Sequence, residues 1–184
     1  MPLKNLGPVQ IEYDGTPIGD TVGGASLNYS ESAQETTVDR TGTIGRSRVI
    51  TGVSCEVTGS IGEATYAQLQ RIAGGVLETG TLSSALHLQA RVGKDLRKDA
   101  KVCILKPIDE GLASTDEAEW IILPAATILA SFNTSFSLEN QSVYGFSIMG
   151  HPVTADEVAE DGRLENEDYK VNDVLVFGKE ADLP

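Results

Sequence analysis

The chain has 184 residues, of which 40% are hydrophobic and 5% aromatic, and its formal net charge is −13. A chain of this length buries one core, so we predict a single domain with appendages. The 27 acidic residues against 14 basic ones exclude a protein whose surface as a whole binds the phosphates of DNA.

The composition also favours one fold class and one compartment. Few aromatic residues, with Gly, Ser and Thr between short apolar runs, favour an all-β class over a helical bundle. The first ten residues contain no apolar stretch of signal-peptide length. No stretch approaches the roughly 18 to 20 apolar residues of a membrane span. We therefore expect a protein that is made in a cytosol and has no membrane contact.

A long hairpin is predicted near the start of the chain. Residues 9–13 (VQIEY) form a first strand, and the turn at Asp14 and Gly15 follows. Residues 26–39 continue as an extended run whose second half has no apolar run to bury. Residues 40–48 (RTGTIGRSR) form a loop with three arginines, after which alternation resumes. The pattern predicts a projecting hairpin with a basic tip.

One helix is predicted after this hairpin. Ser60 and Glu63 have the spacing of a capping box, and apolar residues recur at helical spacing from Tyr66 to Ile72. Two glycines at 74–75 give a stop signal. We expect about three turns of amphipathic helix that cover the sheet, because so short a helix needs packing to be stable.

Two more hairpins are predicted from alternating patterns. Residues 84–92 and 101–108 form the first. Residues 127–150 alternate between apolar and polar on both sides of a polar cluster at 139–142. They form the second hairpin, one face of which is exposed to solvent. Pro124, just before it, indicates an edge strand or a bulge.

The sequence contains no arrangement that requires an enzyme, a cofactor or a metal site. Its two histidines, His87 and His151, have no accompanying nucleophile and acid at a recognisable spacing, so we expect surface residues. Cys55 and Cys103 lie in predicted strands, and neither has a Cys or His neighbour at metal-ligand spacing. We expect both to be reduced and structural, with a single bridge between them as the alternative. The acids between 109 and 119 lack the spacing of a calcium loop.

The end of the chain differs from the rest. Residues 154–184 hold ten acids and three bases, so we divide the chain into a β domain at 1–153 and an acidic C-terminal extension or arm at 154–184. Its apolar cluster either adds to a neighbouring subunit or folds back. The candidate arm contacts are Val171, Val174, Leu175, Val176 and Phe177.

The order of the elements resembles that of the major tail tube proteins of long-tailed, siphovirus-like bacteriophages. The resemblance covers roughly residues 9–153, including IGEATYAQLQRIAGG at 61–75 and IILPAATILASFNTSFSLENQSVYGFSIMG at 121–150. It implies a β-sandwich or barrel of antiparallel strands with one flanking helix and a projecting hairpin. It also implies that six copies close a ring and that rings stack into the hollow tube through which DNA is ejected.

The resemblance further implies partners and contact residues. The partners are other copies of the chain and the tape measure, terminator and distal tail proteins, while DNA passes through the lumen without specific binding. The protein is then part of a virion tail and is made in the host cytoplasm. The hairpin loop contacts the next ring, which implies inter-ring contacts at Arg40, Thr43, Ile44, Arg46 and Arg48.

Other functions remain open at this stage. A terminator or hub protein of the same tail, or a type VI secretion tube protein, shares the fold and differs in how its rings stack. A monomeric carbohydrate-binding β-sandwich is an alternative of another class, although such sites expose several aromatic residues.

Overall fold

The computed structural model describes residues 7–36, 47–62, 64–74, 76–79, 84–88, 90–132, 143–159, 164 and 169–178. In these ranges the protein is mainly β, which confirms the predicted class. The strands are β1 (Val9–Tyr13), β2 (Thr16–Pro17), β3 (Thr21–Thr36), β4 (Ser47–Ile61), β5 (Val76–Thr79), β6 (Ser84–His87), β7 (Lys101–Asp109), β8 (Leu112–Ala113), β9 (Ile121–Phe132), β10 (Tyr144–Gly150) and β11 (Val176–Phe177). The helices are α1 (Tyr66–Ala73), α2 (Ala155–Val158) and two 3₁₀ turns, Leu96–Asp99 and Glu117–Glu119.

One large antiparallel sheet organises the molecule. Its strand order is β2-β1-β7-β9-β10-β4-β3, with β8 paired to β7 and β11 paired to β9. Among the described residues the edge strands β2 and β3 do not pair with each other, so the sheet is open and is not closed into a barrel. The core lies between one face of this sheet and α1, whose Ile72 is fully buried.

The turn between β1 and β2 is formed as predicted. Asp14 and Gly15 both have positive φ, at 55° and 69°, which is the backbone of a two-residue hairpin turn. Ile18 then donates its backbone N–H to the carbonyl of Ile11 and is itself buried. This short hairpin forms one edge of the sheet.

The helix is confirmed, but its predicted start is wrong. Ser60 is still in β4, where it is paired with Gly145, because the strand continues through Ile61. The capping box is instead formed by Thr65 and Gln68, and α1 has eight residues, little more than two turns. Glu63 lies outside the described residues.

The predicted hairpin between residues 84–92 and 101–108 is also wrong. β6 ends at His87 and pairs with β5, a strand that the sequence did not reveal, in a separate two-stranded sheet. β7 pairs with β1 and β9 instead. Alternation predicts which face of a strand is buried, but the partner strand depends on the rest of the fold.

The long alternating pattern after residue 127 does form a hairpin, from β9 to β10. Ile128 is buried, while Leu129 and Ser131 on the other parity are exposed. Pro124 lies at a bulge in the central strand β9. The register between β7 and β9 shifts there, which leaves two residues of β9 opposite one residue of β7. The predicted bulge is therefore confirmed.

Both cysteines are free thiols in the core, as predicted. Cys55 on β4 and Cys103 on β7 belong to the main buried cluster. Burial raises the pKa of Cys103 to about 12, because a thiolate is costly in an apolar environment. Burial also raises the pKa of Cys55, so neither thiol is activated as a nucleophile.

Candidate assembly surfaces

The hairpin of β3 and β4 extends beyond the sheet. From Cys55 onward β4 pairs with both β3 and β10, whereas residues 47–54 pair with β3 alone. The described residues 30–36 and 47–54 thus form a two-stranded ribbon that projects from the body. We call this segment the ribbon. The projecting hairpin was predicted, and its 16-residue β3 is the longest strand in the described chain.

One face of the ribbon continues the core face of the sheet. Leu27 and Val57 are opposite each other on the core face, and Tyr29 opposite Cys55 comes next along the same face. Farther out the same face carries Val53 and, on the facing strand, Glu31 and Ala33. An apolar surface that is covered in the body is therefore uncovered on the ribbon.

A β-bulge changes which residues this face presents. The register of β3 and β4 shifts between Ser32 and Ala33, which leaves Thr51 unpaired and puts Ile50 opposite Ala33. Ile50 therefore joins Val53 on one face, although strict alternation assigns them to opposite faces. The two side chains are 57% and 42% exposed. We call Tyr29, Ala33, Ile50 and Val53 the apolar ribbon face. Glu31 lies among them and accepts a hydrogen bond from the hydroxyl of Tyr29 at 2.7 Å.

Most of the predicted loop contacts lie outside the described residues. These are Arg40, Thr43, Ile44 and Arg46. Arg48 is described, is exposed, and stands directly opposite Glu35 near the outer end of the ribbon. The inter-ring contacts of this loop therefore remain a prediction.

The C-terminal cluster folds back on its own chain. β11 pairs with β9 through Val176 opposite Ile122 and Phe177 opposite Ile121. Val174 is buried in the main core, and Leu175 packs against that core. Val171 and Phe177 are exposed, so these two candidate arm contacts are the ones that remain available to a neighbour.

An ion pair joins the C-terminal segment to the β domain. Arg97, in the 3₁₀ turn before β7, donates both terminal nitrogens to the carboxylate of Glu157, at 2.6 and 2.7 Å. It also donates to the carbonyl of Pro152. The hydrogen bonds to Glu157 raise the pKa of Arg97. Bidentate geometry of this kind fixes orientation as well as charge.

His151 lies beside this pair and is not the simple surface residue that the sequence predicted. Its Nε2 is 2.9 Å from the hydroxyl of Thr127, and its ring is half-buried. The pKa of His151 is lowered, first because burial disfavours the imidazolium and then because Arg97 repels it. The stabilisation given by neutral His151 is therefore complete above about pH 6.5 and is lost as the pH falls through that value.

We expect the free energy of unfolding to fall between about pH 7 and pH 5, the range in which an unfolded histidine takes up its proton. His151→Gln should flatten this part of the profile, because glutamine keeps a hydrogen-bonding group and does not titrate. Urea denaturation at stepped pH measures it, with His87→Gln as the exposed control. Equal slopes for wild type and His151→Gln contradict the assignment.

The part of the chain that the structure describes contains no group of His, Cys, Asp and Glu side chains placed to hold a metal ion. The helices in that part are all too short or too polar to cross a membrane. Neither a protein-family model nor a curated protein matches the sequence.

Sequence reasoning missed two features that concern function. The apolar ribbon face depends on the bulge at Thr51, which has no signature in the alternation. A cationic cavity involves Arg71 and Arg91, which are 20 positions apart in the sequence. Neither feature has a signal in the sequence, because each depends on which residues the fold brings together.

Proposed function

We propose that the chain is a structural subunit that assembles with copies of itself into stacked six-membered rings, as the hollow tail tube of a long-tailed bacteriophage. The observation that carries this proposal is the apolar ribbon face. A projecting two-stranded ribbon has no core of its own, and isolated hairpins are at best marginally stable in water. Its exposed apolar side chains are stabilised when a second copy covers them.

The free edge of the sheet supports the same proposal. Within the described ranges the outer side of β3 pairs with no other strand, although this strand is long. Long open edges promote uncontrolled pairing between chains, and closed assemblies remove them. In a closed ring the free edge of each copy is covered by its neighbour, so no edge is left for uncontrolled pairing. Such contacts are heterologous and close by rotation.

The solvent face of the sheet suits the wall of a conduit. Besides Leu129 and Met149, it presents small polar and acidic side chains across four strands, and Ser147 donates a hydrogen bond to Glu56. Six copies at −13 each carry −78 formal charges, and like charge keeps a polyanion from adhering. The members of this polar face include Ser26, Asn28, Glu56, Thr58, Ser131 and Ser147.

The test is the state of the purified chain at rising concentration. We expect negative-stain electron microscopy to show six-fold rings or hollow filaments, and sedimentation velocity on the same samples to show large species. A chain that stays monomeric at every concentration contradicts self-assembly. A glycan-binding screen then distinguishes the carbohydrate-binding alternative. The tape measure, terminator and distal tail proteins are the further partners that this function requires.

A further inference from the structure

A polar cavity opens where α1 meets the start of β7. Its volume is about 360 Å³. Arg71 from the last turn of α1 and Arg91 from the following segment line it, together with Lys101, the first residue of β7. Leu96 and Ile128 give it an apolar part. We call it the basic cavity.

Two of its three cationic side chains form no ion pair with the acids that the structure describes. Lys101 pairs with Asp14 at 3.5 Å. Neither Arg71 nor Arg91 has a carboxylate within ion-pair distance among the described residues. In a chain with almost twice as many acids as bases, two arginines at one cavity without an ion pair to any described acid are unexpected. They provide donors for an anionic group that comes from elsewhere.

The position of Arg91 is held by the end of the helix. An atom added at the Cβ position of Gly74, which ends α1, would lie 2.7 Å from Nη1 of Arg91. The guanidinium therefore fills the space that glycine leaves at the helix C-terminus, where positive charge is favourable. Asp99 lines the same cavity, but its carboxylate is paired with Lys94. The hydrogen bond and charge of Lys94 lower the pKa of Asp99, and the charges of Lys101 and Arg91 lower it less.

The opposite end of β7 carries the complementary charge. Residues 109–119 (DEGLASTDEAE) contain five acids and no base, and we call this segment the acidic turn. Asp109 and Glu110 are exposed at its start. Leu112 follows them and is 76% exposed. β7 has nine residues, so about 30 Å separates the basic cavity from the acidic turn along the strand.

We propose that the acidic turn of one copy docks in the basic cavity of a second copy, with Asp109 and Glu110 on Arg71 and Arg91 and with Leu112 against Leu96 and Ile128. When each copy offers its basic cavity to one neighbour and its acidic turn to another, the contact is heterologous and repeats from copy to copy. This inference rests on the proposed self-assembly, and it names one pair of surfaces through which two copies bind each other.

The composition of the two surfaces favours this occupant over a free anion. A cavity for inorganic phosphate alone has no use for an apolar part, whereas Leu112 supplies an apolar group beside two carboxylates. A buried apolar anchor within a charged rim is typical of protein contacts. Complementary charge also aligns the two copies before contact.

Charge reversal on each surface tests the contact, with the full chain in every case. Arg71→Glu with Arg91→Glu, and separately Asp109→Lys with Glu110→Lys, should each raise the concentration for half-assembly at least about tenfold. An equimolar mixture of the two variants should assemble again, because each reversed surface then meets its complement on the other variant. Sedimentation velocity measures both effects, and electron microscopy shows the product.

Three controls make the outcome decisive. Lys98→Glu with Lys170→Glu reverses two exposed bases outside the cavity and should leave assembly unchanged. Circular dichroism checks folding, and Arg71→Gln with Arg91→Gln replaces the reversed pair if that variant unfolds. Normal assembly of either charge-reversed variant overturns the docking, as does a mixture that stays dispersed. A wild-type chain that never assembles contradicts the proposed function itself, so the two failures are distinguishable.

Discussion

Replacing Ile50 or Val53 by aspartate should leave the subunit folded and abolish its self-association. Both side chains lie on the apolar ribbon face and belong to neither buried cluster. The free subunit exposes them to water, so a carboxylate there costs little beyond the repulsion that Val53→Asp meets from Glu31 on the facing strand. In the assembled state the same carboxylate is buried in an apolar contact without a partner, which costs several kcal/mol.

The size of this effect follows from the conversion of free energy into affinity. Each 1.4 kcal/mol changes an equilibrium constant tenfold, so we expect the concentration for half-assembly to rise at least about 100-fold. Sedimentation velocity over a dilution series measures this concentration. Thermal unfolding at a concentration at which wild type is monomeric checks that each variant is folded.

Val49 provides a matched control for the two variants. It is 56% exposed, like Ile50, but it pairs with Gln34 and therefore points to the opposite face of the ribbon. Val49→Asp makes the same chemical change on the same strand. We expect it to reduce assembly far less than Ile50→Asp. Equal effects at both positions contradict the choice of face, and no effect at either position contradicts a contact through the ribbon.

The sequence predicts strands well in this protein where alternation is long and turns are clear. β1, the β3–β4 hairpin and the β9–β10 hairpin all follow from such patterns. The partner of β6 does not, because alternation defines a face and leaves the pairing to tertiary structure. The sequence places the start of α1 too early, because Ser60 fits a local capping pattern. In the structure the backbone of Ser60 is paired in the sheet.

The candidate surfaces were only partly predictable for a related reason. The projecting hairpin is visible in the sequence because its outer half lacks apolar runs. Its apolar face is not, because the bulge at Thr51 moves Ile50 to the other side. The basic cavity brings Arg71 and Arg91 together through the packing of α1 and the segment that follows. Contacts of this kind appear only when the chain is folded.

The C-terminal segment shows the same dependence on tertiary structure. Its acidic composition predicts a separate extension after residue 153, yet some of its few apolar residues pack against the β domain. Leu164 is buried beside Ala125 and Val153, and Val174 is buried in the main core. Backbone hydrogen bonds join Val153 to Asn172 and Asp173. The composition of a segment averages over all its residues, whereas two or three buried apolar side chains are enough to attach the segment to the domain.

Ending the chain after residue 153 should therefore cost a large part of its stability. The truncation removes Leu164 and Val174 and uncovers the edge of β9 at Ile121 and Ile122, where β11 pairs. Full burial of an aliphatic side chain stabilises by about 1.5 to 3 kcal/mol, so the two removed side chains account for about 4 kcal/mol. A domain of ordinary stability has only about 5 to 15 kcal/mol in total.

A second truncation, after Gly178, is the matched control. It removes six residues, among them the two acids Glu180 and Asp182 and the base Lys179. It keeps β11 and the residue after it, Gly178, which donates its N–H to the carbonyl of Trp120. We expect urea denaturation to give this variant nearly the wild-type free energy of unfolding, and the shorter variant a loss of about 4 kcal/mol or insolubility. Equal stability of the two truncations instead makes residues 154–184 a separable arm that is available to a neighbouring copy.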